Sequence, residues 1–146
     1  MCANYMENII TLENIVLNAE SEAHEDAIRR CGQLLVDGGY VNERYIEGMI
    51  ARNRNFTTAI GNCIAIPHGE KEYKEEIIKT GLAVITYPNG LDWDGEKVHL
   101  VIGIAAKGNE HLEILENIVE RLDDSEQVLA LVNANDKQAI YDLLTR

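Results

Sequence analysis

From Val98 to Ala106 the chain is almost entirely apolar, interrupted only by His99. A run this short and this apolar is a strand covered on both faces, so the fold must supply a layer on each side of it. Two further buried strands are expected. Cys63-Ile64-Ala65-Ile66 stops at Pro67-His68-Gly69, and Thr80 to Tyr87 is closed by Pro88-Asn89-Gly90; Asp92-Trp93-Asp94-Gly95 reads as a turn. The covering layers are helical. From Ser21 to Asp37, Ala23, Ala27, Ile28, Cys31, Leu34 and Leu35 recur at helical spacing, with Ser21 as N-cap and Gly38-Gly39 as stop. A second helix starts near Asn42, turns Tyr45, Ile46, Met49 and Ile50 inward, and carries Arg52 near its end. After Lys107-Gly108-Asn109 a third presents Leu112, Leu115, Ile118, Val119 and Leu122 on one face, and two short helices follow at Ser125 to Val132 and Asp136 to Leu144. Interleaved helices and buried strands predict an α/β sandwich with a largely parallel sheet, in which ligand sites lie beyond strand ends.

Length and charge narrow the function. The 146 residues are one domain's worth, expected to span 1–146, and 46% hydrophobic with 26% charged residues is ordinary for a folded soluble chain. The net charge of −12 argues against nucleic-acid binding, which needs basic patches, and against an anionic membrane surface. Cys2, Cys31 and Cys63 are odd in number and scattered, as expected of reduced thiols in a cytoplasmic protein. Met1 to Asn14 contains Glu7 and Glu13 and no Lys or Arg, unlike a signal peptide, and no apolar run is long enough to insert in a membrane.

Two segments carry chemistry. In Ile64-Ala65-Ile66-Pro67-His68-Gly69, a histidine stands at the mouth of a strand between a φ-locked proline and a permissive glycine. Histidine there is a phosphoryl acceptor, a general base or a metal ligand; a turn residue without a task fits the segment equally well. In Gly103 to Leu112, a buried strand, a glycine-bearing loop and a helix start bring His111 into a first helical turn, where free N–H groups suit an anion. Taken alone, Asn109 as a cap and His111 as a surface residue explain that segment better. Both histidines can reach one edge of an α/β sheet.

These segments are joined by Gly38-Gly39-Tyr40-Val41, Ile60-Gly61-Asn62, Lys79-Thr80-Gly81, Tyr87-Pro88-Asn89-Gly90, Val101-Ile102-Gly103-Ile104-Ala105-Ala106 and Asn109-Glu110-His111-Leu112. In this order and spacing the whole chain resembles the enzyme IIA domain of the mannitol/fructose class of the bacterial phosphoenolpyruvate-dependent sugar phosphotransferase system, the mannitol type most. The resemblance implies an α/β fold with a mixed, mainly parallel β-sheet sandwiched between α-helices. It implies that His68 takes a phosphoryl group on Nε2 from phospho-HPr and passes it to the enzyme IIB/IIC permease, for mannitol uptake and phosphorylation. It casts His111 as the residue that stabilises or orients the phosphohistidine. Arg52 would neutralise charge, with Arg54 two positions on as the competing arginine. Cys63 stands where the family commonly has glycine. No metal or organic cofactor is implied. A fructose-specific enzyme IIA and a nitrogen-type regulatory enzyme IIA that signals by protein binding are the alternatives.

The other histidines have plainer readings. His24 belongs to the polar side of the first helix and His99 to a hydrogen-bonded strand position. Zinc-type spacing, a nucleophile elbow and a P-loop are all missing from the sequence. Glu70–Glu76 and Asp123–Glu126 read as solvated turns and helix starts, and Trp93 as a packed residue.

Overall fold

The structure, a computed structural model, describes residues 9–108 and 110–145; Cys2 and the Asn109 cap lie outside the described residues. Among the described residues five strands form one sheet: β1 (Ile15–Val16), β2 (Ala59–Gly61), β3 (Ile64–Ala65), β4 (Gly81–Trp93) and β5 (Glu96–Ala105), in the order β1-β4-β5-β3-β2. The α-helices among the described residues flank it: α1 (His24–Asp37), α2 (Arg44–Asn55), α3 (Glu110–Arg121), α4 (Ser125–Asn133) and α5 (Lys137–Thr145). The mixed sheet between helical layers expected from the sequence is the one observed. Pairs β1–β4 and β3–β5 are parallel, and a parallel bridge between His68 and Ile104 prolongs the second. Pairs β4–β5 and β2–β3 are antiparallel, and the β4–β5 hairpin is the most extended ladder among the described residues.

Alternation along the strands builds the two cores. Leu82, Val84, Leu100, Ile102 and Ile104 face Ile114, Ile118, Val128, Val132, Ile140 and Leu144 of α3–α5. Ala83, Ile85, Val101 and Ala105 face Ala27, Ile28, Cys31, Leu35, Tyr45 and Met49 of α1 and α2. Burying both faces is what the apolar run of β5 requires.

Several local features differ from expectation. Pro88-Asn89-Gly90 does not end a strand. It forms a bulge, with a register shift between Thr86 and Leu91 and Gly90 at φ 75°, and β4 continues to Trp93. The reversal is made by Asp94 and Gly95 alone, at φ 53° and 96°, a two-residue turn whose twist matches the strands. Ser21 does not cap α1. Ala23 holds the N-cap position, and the Ser21 hydroxyl instead donates to the Gly90 carbonyl in the bulge. On α3, Ile114 and Ile118 face the core, while Leu112 and Val119 are 69% and 51% exposed. The buried stripe takes the spacing of Ile114, Ile118 and Leu122, which is enough to cover one edge of the sheet. The turn between β2 and β3 is Asn62-Cys63, both with positive φ (53° and 67°), so Cys63 adopts a backbone that glycine takes more cheaply.

Gly103 in β5 admits α1 closely: a Cβ built there would overlap the Cys31 sulfur. Gly103→Ala is expected to cost about 1–3 kcal/mol of stability through overpacking. Adding Cys31→Ala should recover part of that loss, so the double variant is less destabilised than the sum of the singles in denaturant unfolding; strict additivity would show that the sulfur is not the obstacle.

Candidate functional site

The parallel ladder brings the C-terminal ends of β3 and β5 to one edge of the sheet, and the candidate site lies there. The chain leaving β3 passes through Pro67, whose carbonyl accepts the Ile104 N–H at 2.9 Å, and delivers His68 half-buried beside the end of β5. His68 Nδ1 is 2.8 Å from the Ile66 carbonyl oxygen. A carbonyl only accepts, so Nδ1 carries the proton and Nε2 keeps its lone pair. The Ile66 peptide is itself held, because its N–H donates to the Thr58 carbonyl at 2.9 Å.

The first turn of α3 brings His111 to His68, with ring centroids 4.6 Å apart and planes tilted by 54°. Arg52, in the last turn of α2, shares a cavity of about 570 Å³ with both histidines. Its guanidinium donates to the Phe56 carbonyl at 2.7 Å, which tethers it at the cavity mouth. Arg54 points elsewhere and makes a two-pronged pair with Glu25 of α1 at 2.7 and 2.9 Å. Of the two candidate arginines, geometry places only Arg52 with the histidines.

Burial pushes the His68 imidazole down to about 4, with the neighbouring His111 and Arg52 acting the same way and the Ile66 hydrogen bond opposing them. Burial and then Arg52 also lower His111. Both rings are therefore neutral near pH 7. The arrangement is a lone pair aimed into a cleft with a fixed cation and a second imidazole beside it, which suits a nucleophile that takes up an anionic group. Among the described residues no group of three or more His, Cys, Asp or Glu is placed to hold a metal ion.

Three features of the site carry no distinctive signal in the sequence. The pattern around Tyr45 marks it only as an inward helix residue. Its buried hydroxyl donates to the Ile104 carbonyl and accepts the Gly69 N–H, each at 2.9 Å, and so clamps the His68 turn to β5 and α2. Gly69 packs on that ring: a Cβ there would lie 2.5 Å from it. Asn53, next to Arg52 in α2, is buried. Its Oδ1 accepts from the Thr58 N–H, the Thr58 hydroxyl and the Trp93 indole at 2.8, 2.7 and 2.9 Å, and its amide donates to Asp94. The third is the charged segment after Gly69. Residues Lys71–Glu76 form a 3-10 turn, and Lys71, Lys74, Glu70 and Glu72 wall the cavity. Mixed signs along that run gave no hint of a site. His24 and His99 lie elsewhere. His24 stacks on Trp93 and pairs with Asp94 at 3.4 Å, so it is more embedded than a solvated helix face implied; His99 Nδ1 donates to the Tyr87 carbonyl at 3.0 Å.

Residues 8–146 match the family described as phosphoenolpyruvate-dependent sugar phosphotransferase system, EIIA 2. The chain belongs to that family. It is 40% identical over 138 residues to the mannitol-specific phosphotransferase enzyme IIA component of Halalkalibacterium halodurans, covering 94% of this chain and 95% of the relative. Its fold is similar to the crystal structure of IIA mannitol from Escherichia coli, with a TM-score of 0.85 and 37% identity over 92% of this chain and 97% of the other. It is also similar to a chain of the Escherichia coli complex of mannitol enzyme IIA with phosphorylated enzyme IIB, with a TM-score of 0.86 and 36% identity, covering 93% and 98%. This enzyme IIA chain is thus a phosphotransferase component, and no helix among its described residues is long and apolar enough to cross a membrane.

Tyr45→Phe leaves the Ile104 carbonyl and the Gly69 N–H without their shared partner and is expected to cost about 1–3 kcal/mol, read by denaturant unfolding. The second expectation concerns acid. The folded His68 ring takes its proton near 4 and the unfolded ring near the ordinary 6.5, so between those values the unfolded chain binds more protons. The stability held in neutral His68 is complete above 6.5 and is lost as pH falls toward 4. His68→Gln should flatten that part of the stability–pH curve, and an unchanged acid limb would remove His68 as its source.

Proposed function

We propose that this chain is a cytoplasmic, single-domain phosphocarrier of a mannitol phosphotransferase system, accepting a phosphoryl group from phospho-HPr on His68 and passing it to the enzyme IIB/IIC permease. The observation that carries the reading is the His68 ring, whose Nδ1 bond to Ile66 leaves the lone pair on Nε2 and which lines a cleft shared with His111 and Arg52. In the first transfer the donor's nitrogen–phosphorus bond breaks, its electron pair returning to the donor nitrogen, as the Nε2 lone pair forms a new bond to phosphorus; the proton stays on Nδ1, hydrogen-bonded to the Ile66 carbonyl. In the second, that bond breaks as the acceptor group on enzyme IIB bonds to phosphorus, and the lone pair returns to Nε2. Phosphoryl transfer asks mainly for alignment and charge stabilisation. The aligned ring is His68. Arg52 offsets the negative charge of the phosphoryl oxygens, and His111 orients them.

Likeness to relatives named for mannitol supports the sugar, and the similarity to an enzyme IIA seen with phosphorylated enzyme IIB supports the acceptor. The test is incubation with phosphoenolpyruvate, enzyme I and HPr, followed by intact mass and peptide mapping. One acid-labile phosphoryl group on His68 is expected, none in His68→Ala, and onward transfer to a mannitol-type enzyme IIB in preference to a fructose-type one. His111→Ala should still accept the group but pass it on roughly 100-fold more slowly, the usual loss of one charge-stabilising group. A folded wild-type chain that gains no phosphoryl group from active HPr would overturn the reading.

A further inference from the structure

Thr80 closes the loop that carries His111. It stands immediately before β4, and because β4 runs antiparallel to β5, the Gly81–Ala105 pair sets it beside the chain leaving β5. Its hydroxyl oxygen accepts the Lys107 N–H at 3.0 Å, and the hydroxyl donates to the Glu110 carboxylate. Lys107 precedes α3, and Glu110 opens α3 directly before His111. Between them Gly108 takes φ 64°, and the Glu110 N–H meets the Lys107 carbonyl only at 3.4 Å. One hydroxyl thus bonds to the chain on both sides of that left-handed glycine.

We infer that Thr80 is a positioning residue for phosphoryl transfer: through Lys107 and Glu110 it sets where the His111 ring stands against His68. The inference rests on the phosphocarrier reading for its consequence, not for its geometry.

Thr80→Val keeps the shape and removes the hydroxyl, Thr80→Ser keeps the hydroxyl, and Glu110→Ala removes the acceptor from the other side. Single-turnover transfer from phospho-HPr, and onward to enzyme IIB, is expected to fall roughly 10- to 100-fold in Thr80→Val and Glu110→Ala, the scale of a small misplacement at a reacting centre. The apparent KM for phospho-HPr should stay unchanged, and Thr80→Ser should transfer like the wild type. In imidazole proton–nitrogen NMR spectra, the His111 resonances should move in Thr80→Val while those of His24 and His99 stay. Wild-type transfer by folded Thr80→Val or by Glu110→Ala, a Thr80→Ser as slow as Thr80→Val, or unmoved His111 resonances would each overturn the inference. A wild-type chain that takes no phosphoryl group defeats the phosphocarrier reading instead, and the NMR comparison then judges the placement of His111 by itself.

Discussion

The hydroxyl of Tyr45 holds together the three pieces of chain that make the site. It donates to the carbonyl at the end of β5 and accepts from the amide that follows His68, and it arrives on α2, the helix that also carries Arg52. Burial raises its pKa to about 12, so the proton it donates is present at any physiological pH. Gly69 is the sequence's answer to that ring, since any side chain there meets it. The Asn53 contacts serve the same end through Thr58. They fix Thr58, Thr58 fixes the Ile66 peptide, and the Ile66 carbonyl fixes the His68 ring.

The same enclosure sets the chemistry. Partial burial costs the charged form of an imidazole more than the neutral one, so the environment that orients His68 also keeps its lone pair available. Arg52 stands beside two neutral rings, and Lys71 and Lys74 line the same cavity with Glu70 and Glu72, in a chain of net charge −12. The cavity lining thus carries three cationic side chains against two carboxylates although the protein as a whole is acidic. Around the cleft, Phe56 and Leu112 are 75% and 69% exposed, so its surroundings are partly apolar as well as charged.

What was legible in the sequence follows from how each residue acts. His68 and His111 were legible because each is a chemically distinctive side chain set beside residues that end a strand or begin a helix. Arg52 was legible as a cation near a helix end, but choosing it over Arg54 needed the Glu25 carboxylate of α1, which is distant in sequence. Tyr45, Asn53 and Thr80 were not legible as site residues, because they act through backbone groups that lie far from them in the chain. Leu112 and Val119 were assigned inward because periodicity reports which faces are apolar, not how wide a stripe the neighbouring sheet can cover. Pro88-Asn89-Gly90 reads locally as a stop; the long partner strand β5 carries β4 through it as a bulge.

The sequence by itself determined the strands β3, β4 and β5, the helices and the need for two covering layers, because apolar periodicity, proline and glycine act over a few residues; β1 and β2, two and three residues long, are too short to show such a pattern. It also singled out the segments that carry the histidines. Only the tertiary structure decided the sense of each strand pairing, and the site depends on it. Parallel β3 and β5 bring the turn holding His68 and the loop leading to His111 to the same edge, and antiparallel β4 returns Thr80 to that edge. Two rings remote in sequence then meet at 4.6 Å. Pairing sense is fixed by which faces the remote helices bury and by where connections close, so it resides in contacts between distant segments and not in any stretch of residues read alone.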